Sequence, residues 1–178
     1  MDAQSVTGEV ILVRHTAVAD EERELCYGHS DVQLSTAGIE HALQIVEELS
    51  HHKPSRIIHS GLTRTRHLAE LIAQHHELDA QIDDDLRERD FGTWELRSWD
   101  EVYRETGNEM LKMITDAENY RPGGAETTRE FITRVVRASR RWNSKDVTIV
   151  VTHGGVIATL LGLQQGRELS EWPNLIPA

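Results

Sequence analysis

The 178-residue chain carries 30 Asp and Glu against 19 Lys and Arg, a formal net charge of −11, and 38% of its residues are hydrophobic. That length suits one domain, at roughly 100–200 residues per domain, and the acidity argues against nucleic acid and anionic membrane surfaces as partners. The longest apolar runs stay far below the roughly 20 residues of a bilayer span, Met1 to Gly8 lack the features of a secretory signal, and one cysteine, Cys26, cannot form an internal disulfide, so the expectation is a soluble, cytoplasmic domain over residues 1–178 in a reducing compartment.

Residues 8–13 read as a buried strand that leaves at Arg14. Ser35 is placed as an N-cap, and Ile39, Ala42, Leu43, Val46 and Leu49 fall on one face of the helix that follows. His51 to Pro54 break it, and Arg56 to His59 form a second strand. A helix from Thr63 to His76 turns Leu68, Leu71 and Ile72 inward, and Ala80 to Ile82 make a third strand. After an irregular stretch at Phe91 to Trp94, residues 98–118 are helical with a break at Gly107-Asn108. Arg121 to Gly124 form a turn, and a long helix runs from Glu126 to Asn143. Val147 to Val151 are the clearest strand, entering Thr152-His153-Gly154-Gly155 and an apolar helix to Leu163. Strand and helix in alternation predict a parallel sheet covered on both faces.

In such sheets ligands gather beyond the carboxyl ends of the strands, where helix N-termini present backbone N–H groups. Arg14-His15, Ser60 with Arg64, Glu88 and His153 all fall at that edge. The cations of this acidic chain are sixteen arginines and only three lysines, and arginine is the side chain suited to forked contact with phosphate.

Other chemistries lack their residues. There is no Gly-x-x-x-x-Gly-Lys-Ser/Thr loop and no Gly-x-Ser-x-Gly elbow. Cys26 has Val32 where a cysteine phosphatase needs arginine, and it reads as a small buried side chain. Asp83-Asp84-Asp85 read as solvated surface. Of the ten histidines, His51-His52 and His75-His76 are adjacent pairs that chelate poorly, and no zinc spacing occurs, so no metal and no cofactor are expected.

Histidine and arginine at strand ends remain. A neutral imidazole, His15, can attack phosphorus and divide a hard hydrolysis into two easier steps through a phosphohistidine. Arg14 and Arg64 would hold the phosphoryl oxygens, Glu88 is the candidate proton donor to the leaving oxygen, and His153 could bond the phosphoryl group. The competing reading makes His15 and His153 ordinary strand-end histidines.

Six segments then occur in one order: Leu12-Val13-Arg14-His15-Thr16; Tyr27 to Val32 with Leu34 and Gly38; Ser60 to Arg66 with Ala69; Leu86 to Glu95; Pro122 to Glu126; and Val151 to Gly155. Over residues 9–165 the chain resembles the histidine phosphatase, or phosphoglycerate mutase-like, superfamily, and in Arg14-His15-Thr16 and Tyr27 to Val32 its α-ribazole phosphatase branch. The resemblance implies a three-layer α/β/α fold with a mainly parallel central sheet and a metal-independent phosphomonoester hydrolase. It makes His15 the phosphorylated nucleophile, places Arg14, Arg64 and His153 in the phosphate pocket, and makes Glu88 the acid and later the base. Its substrate would be a small phosphorylated compound, α-ribazole 5′-phosphate first. A general sugar-phosphate phosphatase, a mutase-like enzyme and a non-catalytic phospho-ligand module are the alternatives on this scaffold. Thr16 and Leu96 stand where the family usually has glycine.

Arg129, Arg134, Arg137, Arg140 and Arg141 read as a solvated helix face with cations near its C-terminus. Trp94, Trp99, Tyr103 and Tyr120 read either as packing core or as an aromatic wall for a leaving group. The oligomeric state is left open.

Overall fold

A computed structural model describes residues 8–142 and 145–177. The secretory-signal reading of the N-terminus rests mostly on residues outside that range, as does Asn143, the expected end of the long helix.

Four strands, β1 (Val10–Arg14), β3 (Pro54–His59), β4 (Ala80–Ile82) and β6 (Val147–Thr152), form a parallel sheet in the order β1-β6-β3-β4. Two short strands, β2 (Leu25–Cys26) and β5 (Arg97–Ser98), pair antiparallel outside it. The helices are α1 (Thr36–Leu49), α2 (Thr63–His75), α3 (Trp99–Thr106), α4 (Lys112–Thr115), α5 (Thr128–Ser139) and α6 (Gly154–Gln165). None of the described helices is long and apolar enough to cross a membrane.

Successive residues of a strand face opposite sides of the sheet, and the core divides accordingly. Ile57, Ile149 and Val151 pack with Leu68, Ala69 and Ile72 of α2 and with Ala42 of α1. Ile58 and Val150 pack with Phe131, Val135 and Ala138 of α5 and Val156 of α6. The result is the expected three-layer α/β/α arrangement. A third cluster, Cys26, Trp94 and Val102 with Phe91, Trp99 and Tyr120 around it, sits under the segment between β4 and α5.

Register brings the site together. Val13 pairs with Val151 and Arg14 with Thr152 across β1 and β6, while His59 pairs with Val151 across β3 and β6. The residues just past these levels, His15, Ser60 and His153, therefore emerge side by side. The His15 N–H also donates to the Thr152 carbonyl at 3.0 Å.

Three expectations are corrected. On α1, Ile39 and Leu43 are 44% and 58% exposed, and the inward face instead carries Gly38, Ala42, Ile45, Val46 and Leu49. Gly38 sets this rotation: it lies so close to the Ala17 backbone that a Cβ there would overlap the Ala17 carbonyl. The long helix is shorter, starting after Thr127, whose side chain exchanges capping bonds with Glu130. Asp83 and Asp85 are not solvated. Their side chains are 14% and 20% exposed and pair with Arg141 and Arg137 of the helix α5 region. Hydrogen bonding from Arg137 is the main cause holding the Asp85 carboxyl at about 2.

The 98–118 segment breaks at Gly107 as expected, passing through a 3-10 turn between α3 and α4. Leu96 has φ of 61°, in the left-handed region, and is 57% exposed. A side chain costs roughly 1–2 kcal/mol there, which accounts for glycine being usual at this place. Leu96→Gly is expected to raise stability by up to about 1 kcal/mol, read as a higher urea midpoint at unchanged slope.

Candidate active site

His15 follows β1 and is 8% exposed. Its Nδ1 lies 2.8 Å from the Thr16 carbonyl. A carbonyl only accepts, so Nδ1 carries the proton and Nε2 keeps a free lone pair. The acceptor is main chain, so threonine in place of glycine at position 16 leaves this bond intact. Burial first, then the Arg64 charge, push the His15 pKa down to about 3, with Arg14 adding to the shift and the Thr16 bond opposing it. The ring is neutral at ordinary pH.

Arg64, in the first turn of α2, is fully buried. Its Nη1 donates to the Ser30 carbonyl at 2.8 Å, Nη2 to the Gly28 carbonyl at 2.6 Å, and Nε to His153 Nδ1 at 3.3 Å. The guanidinium lies 4.9 Å from the centre of the Tyr27 ring. Two of its five N–H groups remain uncommitted.

That fork also orders the protons on His153. Nδ1 accepts from Arg64, so Nε2 carries hydrogen and donates to Ser60 Oγ at 2.8 Å. Thr65 Oγ1 donates to the Leu62 carbonyl at 2.9 Å, which leaves Ser60 Oγ as the donor to Thr65 Oγ1 at 2.8 Å. Burial, with Arg64 next, holds His153 well below the usual histidine range. Its ring meets His15 edge-on at 5.3 Å between centres. With both nitrogens engaged, His153 in this state positions the pocket; bonding a phosphoryl oxygen would require it to exchange one of these partners.

Arg14 ends β1 and donates from Nη1 to the Pro177 carbonyl at 2.5 Å. Glu88 reaches the same edge after β4. Its Oε1 accepts from the Arg89 N–H at 3.0 Å and its Oε2 from the Gly155 N–H at 3.1 Å, in the first turn of α6. Gly155 is required here, because a Cβ would overlap the Glu88 carboxylate. Two adjoining cavities meet at Arg14, Arg23 and Tyr27: one of ≈ 490 Å³ lined by Glu88, the other of ≈ 670 Å³ lined by His15. All five residues expected at the site thus converge on one sheet edge.

Three supporting side chains escaped the sequence reading. On sequence Arg134 belongs to a solvated face, yet its side chain is 13% exposed and paired with Glu126. It donates to the Asp85, Arg87 and Glu88 carbonyls at 2.7–2.9 Å, stapling the segment that carries Glu88. Glu95 accepts from the His29 and Ser30 N–H groups and from the Phe91 N–H, fixing the loop whose carbonyls hold Arg64. Asp31 accepts from the Thr63 N–H and hydroxyl, capping α2 just before Arg64. Position on a helix or in a loop gives no signal for any of these long-range bonds.

Cys26 is fully buried and burial pushes its thiol up to about 12, as an inert side chain should behave. The aromatic residues divide: Trp94 is core, Trp99 and Phe91 also line the smaller cavity, and Tyr103 is 57% exposed. Among the described residues, no group of three or more His, Cys, Asp or Glu side chains is placed to hold a metal ion.

The model of the histidine phosphatase superfamily, branch 1, matches residues 10–177. The chain belongs to this superfamily. Among curated relatives, the adenosylcobalamin/α-ribazole phosphatase of Salmonella typhimurium is 29% identical, over 84% of this chain and 76% of its own length. Phosphoglycerate mutase-like protein 4 of Arabidopsis thaliana is 32% identical, over 85% of this chain and 69% of its own length. The crystal structure of the α-ribazole phosphatase from Shigella flexneri shares the fold with a TM-score of 0.77 at 24% identity, covering 92% of this chain and 82% of that one. The mycobacterial glucosyl-3-phosphoglycerate phosphatase does so with a TM-score of 0.76 at 24% identity, covering 93% and 83%.

Proposed function

We propose that this histidine phosphatase hydrolyses small phosphomonoesters through a phosphohistidine on His15. The observation that carries the reading is the tautomer: the Thr16 carbonyl takes the Nδ1 proton, leaving an unprotonated Nε2 at a buried site beside Arg64 and Arg14. In the first step the Nε2 lone pair forms a bond to phosphorus and the ester P–O bond breaks. The leaving oxygen takes a proton from the Glu88 carboxyl. In the second step water attacks phosphorus, Glu88 takes a proton from that water, and the P–N bond breaks to release phosphate and neutral imidazole. Arg14 and the free N–H groups of Arg64 neutralise the phosphoryl oxygens, the task a metal ion performs in other phosphatases, so the reaction runs without one.

α-Ribazole 5′-phosphate is the substrate we favour, on the likeness of Arg14-His15-Thr16 and Tyr27 to Val32 and on the activity for which the Salmonella relative is named. A phosphoglycerate mutase-like activity is the second reading, because the Arabidopsis relative carries that name at similar identity. A phosphomonoester panel with phosphate release measured in EDTA tests both. Hydrolysis of α-ribazole 5′-phosphate above the other esters, undiminished by EDTA, is expected. Activity abolished by EDTA, or phosphoryl transfer to a second hydroxyl without phosphate release, would overturn the reading.

A further inference from the structure

Arg14 and Arg64 are held very differently. Arg64 is fully buried and bonded to three acceptors, which fix its fork from all sides. Among the described residues, Arg14 makes one side-chain hydrogen bond, from Nη1 to the Pro177 carbonyl at 2.5 Å. It lines both cavities, and a long side chain at such a mouth has many rotamers open to it unless something selects one. The segment that carries the carbonyl takes its course from α6. Leu169–Leu175 form a 3-10 stretch. Within it the Trp172 indole lies on Gly162, where a Cβ would overlap it, and Nε1 donates to the Arg167 carbonyl at 3.1 Å. Cγ2 of Ile176 lies on Gly154, where a Cβ would overlap it in the same way. An eight-residue spacing is close to two helical turns, so both glycines lie on one face of α6. The space over Gly154 is shared, because the same Cβ would stand 3.6 Å from Arg14 Nε and 3.8 Å from its Cζ. Ile176 and the Arg14 guanidinium thus meet over one glycine beside His153, and the residue after Ile176 supplies the acceptor.

We propose that Ile176 is a positioning residue: its Cγ2 methyl, seated on Gly154, holds the Pro177 carbonyl where that carbonyl orients Arg14 toward the phosphoryl group. The inference rests on the proposed place of Arg14 in the phosphate pocket. The carbonyl takes one of the five Arg14 N–H groups and leaves four for the phosphoryl oxygens. A donor oriented before the anion arrives loses less freedom when it binds. Ile176 acts through the arginine.

The probe is orthovanadate, a transition-state analogue whose tighter binding leaves room to measure losses. Its affinity is measured by calorimetry on the wild type, Ile176→Val, Ile176→Leu, Arg14→Met and the variant combining Ile176→Leu with Arg14→Met. Valine keeps the branch at Cβ and so the methyl on Gly154, whereas leucine branches one carbon further out and loses it. Ile176 is 42% exposed, so neither exchange opens a cavity in the core. Ile176→Leu is expected to weaken binding roughly three- to tenfold, the scale of coupling between side chains that share a partner. Ile176→Val should bind as the wild type does, and Ile176→Leu should add nothing once Arg14 is replaced. Unchanged binding in Ile176→Leu, or an equal loss in the Arg14→Met background, would overturn the assignment. So would tighter binding, which would make the Pro177 carbonyl a competitor of the anion for Arg14. An Arg14→Met variant that binds orthovanadate as the wild type does would instead overturn the pocket reading beneath it, so the two failures are read from different variants.

Discussion

A His15→Ala variant is expected to lose hydrolysis by on the order of 10⁴- to 10⁶-fold in kcat, the scale seen when a covalent nucleophile is removed. The fold should survive, because the one ring hydrogen bond of His15 is local, to the carbonyl of the next residue. The pH dependence sharpens the test. Above pH about 6.5 the ring is neutral whether the chain is folded or unfolded. Below it the unfolded chain takes up a proton, while the folded chain resists doing so down to about pH 3. Stability is therefore complete above about 6.5 and falls as pH drops toward 3, and His15→Ala removes this residue's share of that fall. His153, depressed in the same direction, keeps its own share. In the wild type the acid limb of kcat/KM carries no inflection near 6.5 from the nucleophile. Steady-state kinetics and urea unfolding across pH 4–8 read both effects.

Arg64 gives the second large effect, and it falls on rate and stability together. Removing it strips donors from the Gly28 and Ser30 carbonyls and from His153 Nδ1, all at a fully buried position. Arg64→Met is expected to cost about 3–5 kcal/mol of stability, the scale of breaking a buried charged network. Arg64→Lys keeps the charge but loses the fork. It should fold better than Arg64→Met and still lose about 10²- to 10³-fold in kcat/KM, as when one preorganised donor to a developing charge is removed. An Arg64→Lys enzyme within a few-fold of wild type would show that the fork is dispensable.

Much of this was legible in the chain itself. Strand runs at 10–13, 56–59 and 147–151, with helical spacing between them, specify a parallel three-layer sheet, and parallel register then carries His15, Ser60 and His153 to one edge. The phase of α1 was not legible. Ile39 and Leu43 look inward by hydrophobicity alone, and only the close approach of Gly38 to the Ala17 backbone turns the helix away from them. Arg134 departs from its expected place for a related reason. On sequence it belongs to a charged, solvated face, and Arg129, Arg137, Arg140 and Arg141 do stay exposed, but the partners of Arg134, Glu126 and the carbonyls of the Asp85–Glu88 segment, lie on other elements. The same holds for Glu95 and Asp31: bonds that join residues more than thirty positions apart leave no periodic trace. The net charge of −11 describes the outside, whereas the pocket is set by Arg14 and Arg64, whose charges both act on His15 and are screened from distant charge.

The proposed reaction turns on a covalent bond between phosphorus and His15 Nε2. Brief incubation with a ³²P-labelled phosphomonoester, an alkaline quench and peptide mapping measure it directly. Acid-labile, base-stable label is expected on His15, absent from His15→Ala and discharged by water as phosphate appears. Wild-type turnover with no label on His15, or label on another residue, would contradict it.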